Sequence, residues 1–287
     1  MKRTSIVFLL ALVVGCVNLD TGDHGSREPV NSVAVIVALT KLDYKAYGGW
    51  DGRCAGSNTD LDRMTKACRS AGIERVVTLY NEKATTYAVI RQILLASKAL
   101  EASAKAGKSP LLVFYFSGHG GAVYDFFRTE KDSRNQTICL WDGQMVDDLM
   151  WNVLMQIPKG VRVVHITDSC EAGTNYRSRE EFVAKAYQEI VKRPRITRRR
   201  PEDLSCDFLH FGGCSDGEVS KGNVTYGGIF TYTLIETAKP IGKNYYQWFI
   251  ETKSGMPRIG QIPVMSVIQS EESIFNNGKM EDGPAMK

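Results

Sequence analysis

Nowhere in the 287 residues does a C-x-x-C pair occur, nor an internal repeat or a low-complexity tract, and there are only four histidines. Without paired cysteines the chain offers neither a zinc ribbon nor a thioredoxin-type redox motif. A disordered chain is excluded from the other side: 43% of the residues are hydrophobic, enough for one large α/β domain or two modest ones. So few histidines can be weighed one by one. His24 lies in a polar stretch, and His165 and His210 lie inside apolar runs, where a core histidine is the ordinary reading. His119, between glycines in "FYFSGHGG", is the one that asks for chemistry.

Charge is equally uneven. The net charge is +4, yet residues 177–200 alone hold nine Lys/Arg against three Glu, so the remainder is slightly acidic. A nucleic-acid-binding face spreads its basic residues over a fold, whereas this excess sits in one segment ending "KRPRITRRR", which reads as a loop; no nucleic-acid partner is expected. The start, "MKRTSIVFLLALVVGC", has a basic end and an apolar stretch too short to span a bilayer, and reads as a signal peptide over residues 1–15. Residues 16–31 are polar and aperiodic, a tether to a domain over 32–287. Of seven cysteines, Cys54 and Cys68 could be bridged, or could each be a small buried apolar residue.

Short apolar or β-branched runs at 32–40, 74–80, 110–116, 161–167 and 207–213 predict central parallel strands buried on both faces. Helical patterns lie between them, at Asp60 to Ala71, Ala84 to Ala106, Gln144 to Ile157 and about Arg179 to Val191. The alternation predicts an α/β fold, a doubly wound and mostly parallel sheet flanked by helices. Trp and Met residues at 141–155 recur at helical spacing and are read as core.

In such sheets ligands bind beyond the carboxyl ends of the strands. His119 and Cys170, 51 residues apart, each follow an apolar run and lie in the glycine-bearing loops "SGHGG" and "DSCEAG". A thiol is a useful nucleophile only as thiolate, and an adjacent imidazole can take its proton and later protonate a leaving amine. The pair therefore points to amide hydrolysis.

These motifs resemble those of caspase-fold cysteine peptidases, the metacaspases and their bacterial relatives above all. "FYFSGHGG" is similar to the family's histidine motif and "ITDSCEAG" to its nucleophile motif, with Glu171 and Ala172 departing from the usual residues. "FGGCSDGEVS", "GGIFTYTLIETA" and "GQIPVMS" resemble later family segments in the right order. The resemblance implies a caspase-like fold, His119 as general base and acid, Cys170 as nucleophile, and the backbone N–H groups of Gly120 and Cys170 as the oxyanion hole. It places Asp60, Ser117 and Asp168 in the first specificity pocket, where two carboxylates favour a substrate Arg or Lys. Asp60 could equally be a helix N-cap. The family's cysteine three residues before that aspartate is Ser57 here, and Cys54 stands six before it.

Separately, "VVGC" resembles the lipobox of bacterial lipoproteins, which implies that Cys16 becomes lipidated and anchors an exported protein in the cell envelope; an ordinary signal is the other reading. Cleavage after basic residues makes the basic linker around 177–205 a candidate for self-processing. Asp147 and Asp148 match an acidic pair that contributes to calcium binding in some members, although Arg177 stands where a further acidic ligand is expected; no other cofactor is expected. The resemblance leans to a monomer acting on a protein or peptide with a basic residue before the cut. Two alternatives stay open: a catalytically silent caspase-like binding or regulatory module, and a related peptidase of different, legumain- or clostripain-like specificity.

Overall fold

The computed structural model describes residues 29–124, 134–169, 203–215, 218–240 and 243–268. Its centre is a six-stranded sheet in the order β11-β8-β7-β3-β1-β2. β1 (Ser32–Ala38), β2 (Arg75–Tyr80), β3 (Leu111–Ser117), β7 (Arg162–Asp168) and β8 (Asp207–Gly212) run parallel. β11 (Val264–Ile268) closes one edge antiparallel to β8. β1 and β3 are buried at every position, because in the middle of the sheet both faces are covered, which is why these strands read as unbroken apolar runs.

Successive side chains feed two cores. On one face Val33, Val35, Val37, Phe114 and Phe116 pack with α2 (Thr86–Lys105) and α3 (Asp147–Leu154). On the other, Ala34, Ile36, Tyr115, Ile166 and Phe211 pack with α1 (Ser57–Ser70), with α4 (Ile229–Tyr232), which continues as a π turn over Thr233–Thr237, and with α5 (Tyr245–Gly255). The result is the expected layered α/β architecture with a mostly parallel sheet. A smaller antiparallel sheet of β4 (Gly120–Tyr124), β5 (Arg134–Leu140) and β6 (Gly143–Val146) leaves the end of β3, and β9 (Gly222–Asn223) pairs with β10 (Gly227–Gly228). These short strands were not foreseen.

Local chemistry sets the helix ends. Thr85 accepts from the N–H of Ala88 and starts α2. Asn244 and Gln247 form a reciprocal capping box at α5. Asn244→Ala is expected to cost about 1 kcal/mol of stability, read as a lower urea midpoint at unchanged slope.

The structure decides between the two readings offered for Cys54 and Cys68. Cys54 and Cys68 are not bridged to each other, and Cys68 is a buried small residue. Cys68 packs on the inner face of α1, and burial pushes its thiol up to about 12, as it does that of Cys206. His165 and His210 are in-register neighbours on β7 and β8, with rings 4.7 Å apart, and His165 stacks on Phe114 at 4.9 Å. Burial holds both rings below the usual imidazole range, His210 at about 4. They are neutral core rings, yet not fully satisfied: His165 Nε2 and His210 Nδ1 have no hydrogen-bond partner among the described residues. No helix among the described residues is long and apolar enough to cross a membrane.

Candidate active site

His119 occupies the two-residue link between β3 and β4. Its Nε2 lies 3.2 Å from the carbonyl oxygen of Arg53, and its ring packs against Trp50 with centroids 4.9 Å apart. Both partners come from the loop between β1 and α1, which folds back on itself. Leu42 N–H donates to Asp51 O at 2.7 Å and Cys54 N–H to Thr40 O at 2.9 Å. Tyr47 then pins this loop to the small sheet by donating its hydroxyl to Leu140 O at 2.6 Å. Burial lowers the pKa of His119 and the Arg53 carbonyl opposes that shift, so the ring favours its neutral, basic form.

Cys139 N–H donates to the carbonyl of His119 at 2.9 Å, and Gly120 pairs with Ile138. This makes Gly120 and Ile138 a non-hydrogen-bonded pair of the antiparallel ladder, so the Gly120 N–H points away from β5. That orientation suits an oxyanion donor. Cys170, with its own N–H, lies outside the described residues; Ser169, directly before it, is the last described residue of that stretch.

The three pocket residues come together. Ser117 and Asp168 are in-register partners at the carboxyl ends of β3 and β7, and therefore share one face of the sheet. Asp60, in the first turn of α1, reaches the same place: Ser117 Oγ donates to its Oδ2 at 2.8 Å. The helix begins at Ser57 with Gly56 at the N-cap, so Asp60 does not cap its own helix. Instead both of its carboxylate oxygens accept from the N–H of Gly228 at 2.9 Å. Asp168 accepts from Thr231 through N–H (2.9 Å) and hydroxyl (2.7 Å), and from the hydroxyl of Ser220. Asp60 is 1% exposed and Asp168 5% exposed.

Crowding of two acids has the expected electrostatic result. Burial, and then the charge of Asp168, raise Asp60 to about 7 against the bonds from Gly228 and Ser117 and the nearby Arg63. Burial likewise raises Asp168. Arg63 Nη1 is 3.4 Å from Asp60 Oδ1 and also holds Tyr226 O at 2.8 Å. Ser57 donates to the sulfur of Cys54 at 3.4 Å, so the displaced cysteine and its substitute meet beside α1.

Residue-type reading missed several supports. The Arg53 carbonyl carries no side-chain signal, while Trp50 in "YGGWDGR" stood in a glycine-rich loop that pattern reading passed over. Gln261 was noted only as part of "GQIPVMS"; its side chain donates to Gly213 O (2.9 Å) and Ser220 Oγ (3.0 Å) and accepts from Lys221 N–H (2.9 Å), steadying the group that holds Asp168.

The acidic pair Asp147 and Asp148 opens α3. Asp148 is buried and accepts from Asn135 Nδ2 at 3.2 Å, while Asp147 Oδ1 accepts the N–H of Asp148 at 3.0 Å. Calcium takes six to eight oxygen ligands. Among the described residues no cluster of three or more His, Cys, Asp or Glu is arranged to hold a metal, and Arg177 lies outside them. A cavity of about 270 Å³ beside Asp147, lined also by His165, His210 and Ser169, lies on the opposite sheet face from Asp60 and Asp168.

Comparison with known proteins agrees with this geometry. The chain is similar to metacaspase-1 of Plasmodium falciparum (isolate 3D7), 31% identical over 159 residues, which cover 52% of this chain and 24% of that protein. It is similar also to metacaspase-1B of Aspergillus clavatus, 32% identical over 106 residues, covering 35% and 25% respectively. The chain thus spans about a quarter of the length of these relatives. Among solved structures it resembles that of a protein from Geobacter sulfurreducens, with TM-score 0.69 and 27% identity over 85% of this chain and 96% of that one. Caspase-1 from Spodoptera frugiperda shares the fold, with TM-score 0.55 and 15% identity over 86% and 92%. A family model described as the caspase domain matches residues 32–273, most of the chain, and this protein accordingly belongs to the caspase-domain family of cysteine-type peptidases.

Proposed function

We propose that the chain is an endopeptidase that cuts after Arg or Lys, with Cys170 as nucleophile and His119 as base and acid. The observation that carries this reading is the gathering of Asp60, Ser117 and Asp168 at the strand ends next to the His119 turn. In the reaction His119 takes the thiol proton and the Cys170 sulfur attacks the peptide carbonyl carbon. The oxygen becomes an oxyanion, received by the N–H groups of Gly120 and Cys170. As the C–N bond breaks, His119 returns the proton to the leaving amine, leaving a thioester on Cys170. His119 then deprotonates a water, which attacks the thioester and releases the acid and the free thiol. A buried carboxylate pair supplies the charge that holds a guanidinium or ammonium and repels an acidic side chain.

The basic linker, rich in the residues such a pocket selects, is proposed as a site of self-processing, and Cys16 as the lipid-bearing residue of an exported, membrane-anchored form acting as a monomer. Cys16 and the linker up to residue 202 lie outside the described residues. The buried state of the two carboxylates favours a second reading, a silent regulatory module.

One experiment separates the two. Fluorogenic peptides ending in Arg, Lys or Asp are offered to the protein and to Cys170→Ala, with and without calcium, and chain length is followed by gel. Release after Arg and Lys only, lost in Cys170→Ala together with any cut in 177–205, is expected. Folded protein that releases nothing from any peptide would leave the regulatory module.

A further inference from the structure

The β9–β10 hairpin lies on the carboxylates that the proposed substrate must reach. Gly228 N–H takes both oxygens of Asp60, and Thr231 and Ser220 take those of Asp168. The approach is so close that only glycine permits it. A Cβ on Gly227 would stand 2.0 Å from Asp60 Oδ1, and one on Gly228 would stand 2.0 Å from Asp168 Oδ2. The hairpin also presses on the turn before α1, where a Cβ on Gly56 would meet Asn223 O at 2.4 Å.

We propose that the segment Gly222–Gly228 is an internal plug, whose Gly228 amide occupies the Asp60 carboxylate of the acidic pair and which must lift before a basic side chain can enter; this rests on the reading of that pair as the Arg/Lys pocket. A guanidinium needs the Asp60 oxygens that Gly228 now holds, and neither carboxylate is open to solvent. The plug is lightly fastened at its outer end. Thr59 Oγ donates to Val224 O at 3.1 Å and Arg63 Nη1 to Tyr226 O at 2.8 Å, while within the tip Asn223 Oδ1 accepts from the N–H groups of Thr225 and Tyr226 at 2.9 Å. Val224 and Tyr226 at the tip are 69% and 53% exposed. Few bonds and little burial mark a segment that opens at low cost.

Thr59→Val removes one bond from the tip to α1, and Asn223→Ala loosens the tip itself, without touching either carboxylate. If opening limits access, each raises kcat/KM on Arg-ending peptides by about 2- to 10-fold, the factor expected from losing one hydrogen bond of the closed state. A fall in kcat/KM would make the hairpin a fixed wall of the pocket and overturn the plug. A second readout does not depend on hydrolysis: amide hydrogen exchange of fragments covering 222–231 in full-length Cys170→Ala, with benzamidine as the cationic probe. Saturating benzamidine is expected to speed exchange there, and the loosening variants are expected to bind it more tightly. Faster exchange without peptidase activity in any Cys170-containing variant would keep the plug and discard the peptidase reading. Exchange that is unchanged or slowed at saturation, or no benzamidine binding even in the loosened variants, would overturn the plug.

Discussion

Asp60→Asn is expected to lower kcat/KM on Arg-ending peptides by roughly 30- to several-thousand-fold, the equivalent of about 2–5 kcal/mol for removing one partner of a buried charge pair. The loss should spare the intrinsic chemistry, so selectivity for Arg over uncharged residues collapses while the Cys170-dependent rate on a poor substrate persists. Asp168→Asn should do the same, because the two acids act on one site: Ser117 lies beside Asp168 in register and donates to Asp60. The pH profile supplies the distinctive signature. Asp60 titrates at about 7, raised first by burial and then by Asp168, with Gly228, Ser117 and Arg63 opposing. In the proposed pocket a cation binds the ionised pair, so binding drives a proton off, and kcat/KM for Arg peptides should drop toward tenfold per unit as pH falls below about 7. In Asp60→Asn that limb should vanish.

The same shift bears on stability with a definite sign. The folded pKa of Asp60, about 7, lies above its ordinary value of 3.8, so between these values the folded state binds the extra proton. The stabilisation is complete below 3.8 and is lost as pH rises through about 7. The urea midpoint of the unmodified protein should therefore drift down across that window more than that of Asp60→Asn. A parallel drift in both would remove Asp60 as its source.

His119→Ala is expected to reduce kcat/KM by about 10²–10⁴-fold on every peptide, whatever its last residue, since general acid–base transfer is lost at both the acylation and deacylation steps. Specificity should be unchanged, in contrast with the Asp60 variant. The neighbourhood explains why no other described side chain substitutes. His165 and His210 sit in the strands with rings buried, and the ring of His119 is aimed by Arg53 O and Trp50. A His119→Ala enzyme within tenfold of the unmodified rate would remove this residue from the proton-transfer role.

How far each feature could be read in advance follows from how local its cause is. The strand runs at 32–40 and 110–116 were legible because a parallel strand covered on both faces needs apolar side chains at consecutive positions. The position of His119 at the end of β3 was legible because glycine flanks and strand ends are properties of the chain itself, while Cys170 lies outside the described residues. The meeting of Ser117 with Asp168 is a matter of register between β3 and β7 and could be anticipated only through a resemblance.

The rest was settled by contacts between distant segments. Asp60 has the composition of an N-cap, yet α1 begins three residues earlier and the carboxylate bonds to Gly228, 168 positions away. The orientation of His119 depends on a backbone carbonyl, which every residue possesses, delivered by a loop that Tyr47 ties to Leu140 across 93 positions. The glycines at 227 and 228 announce a need for space, while what fills that space is a pair of carboxylates from two other elements. Periodicity and side-chain chemistry are written residue by residue and so determine element type and candidate chemistry. Charge crowding, burial and access arise only when separate segments pack, and it was that packing which turned two aspartates into a shared, covered acidic site.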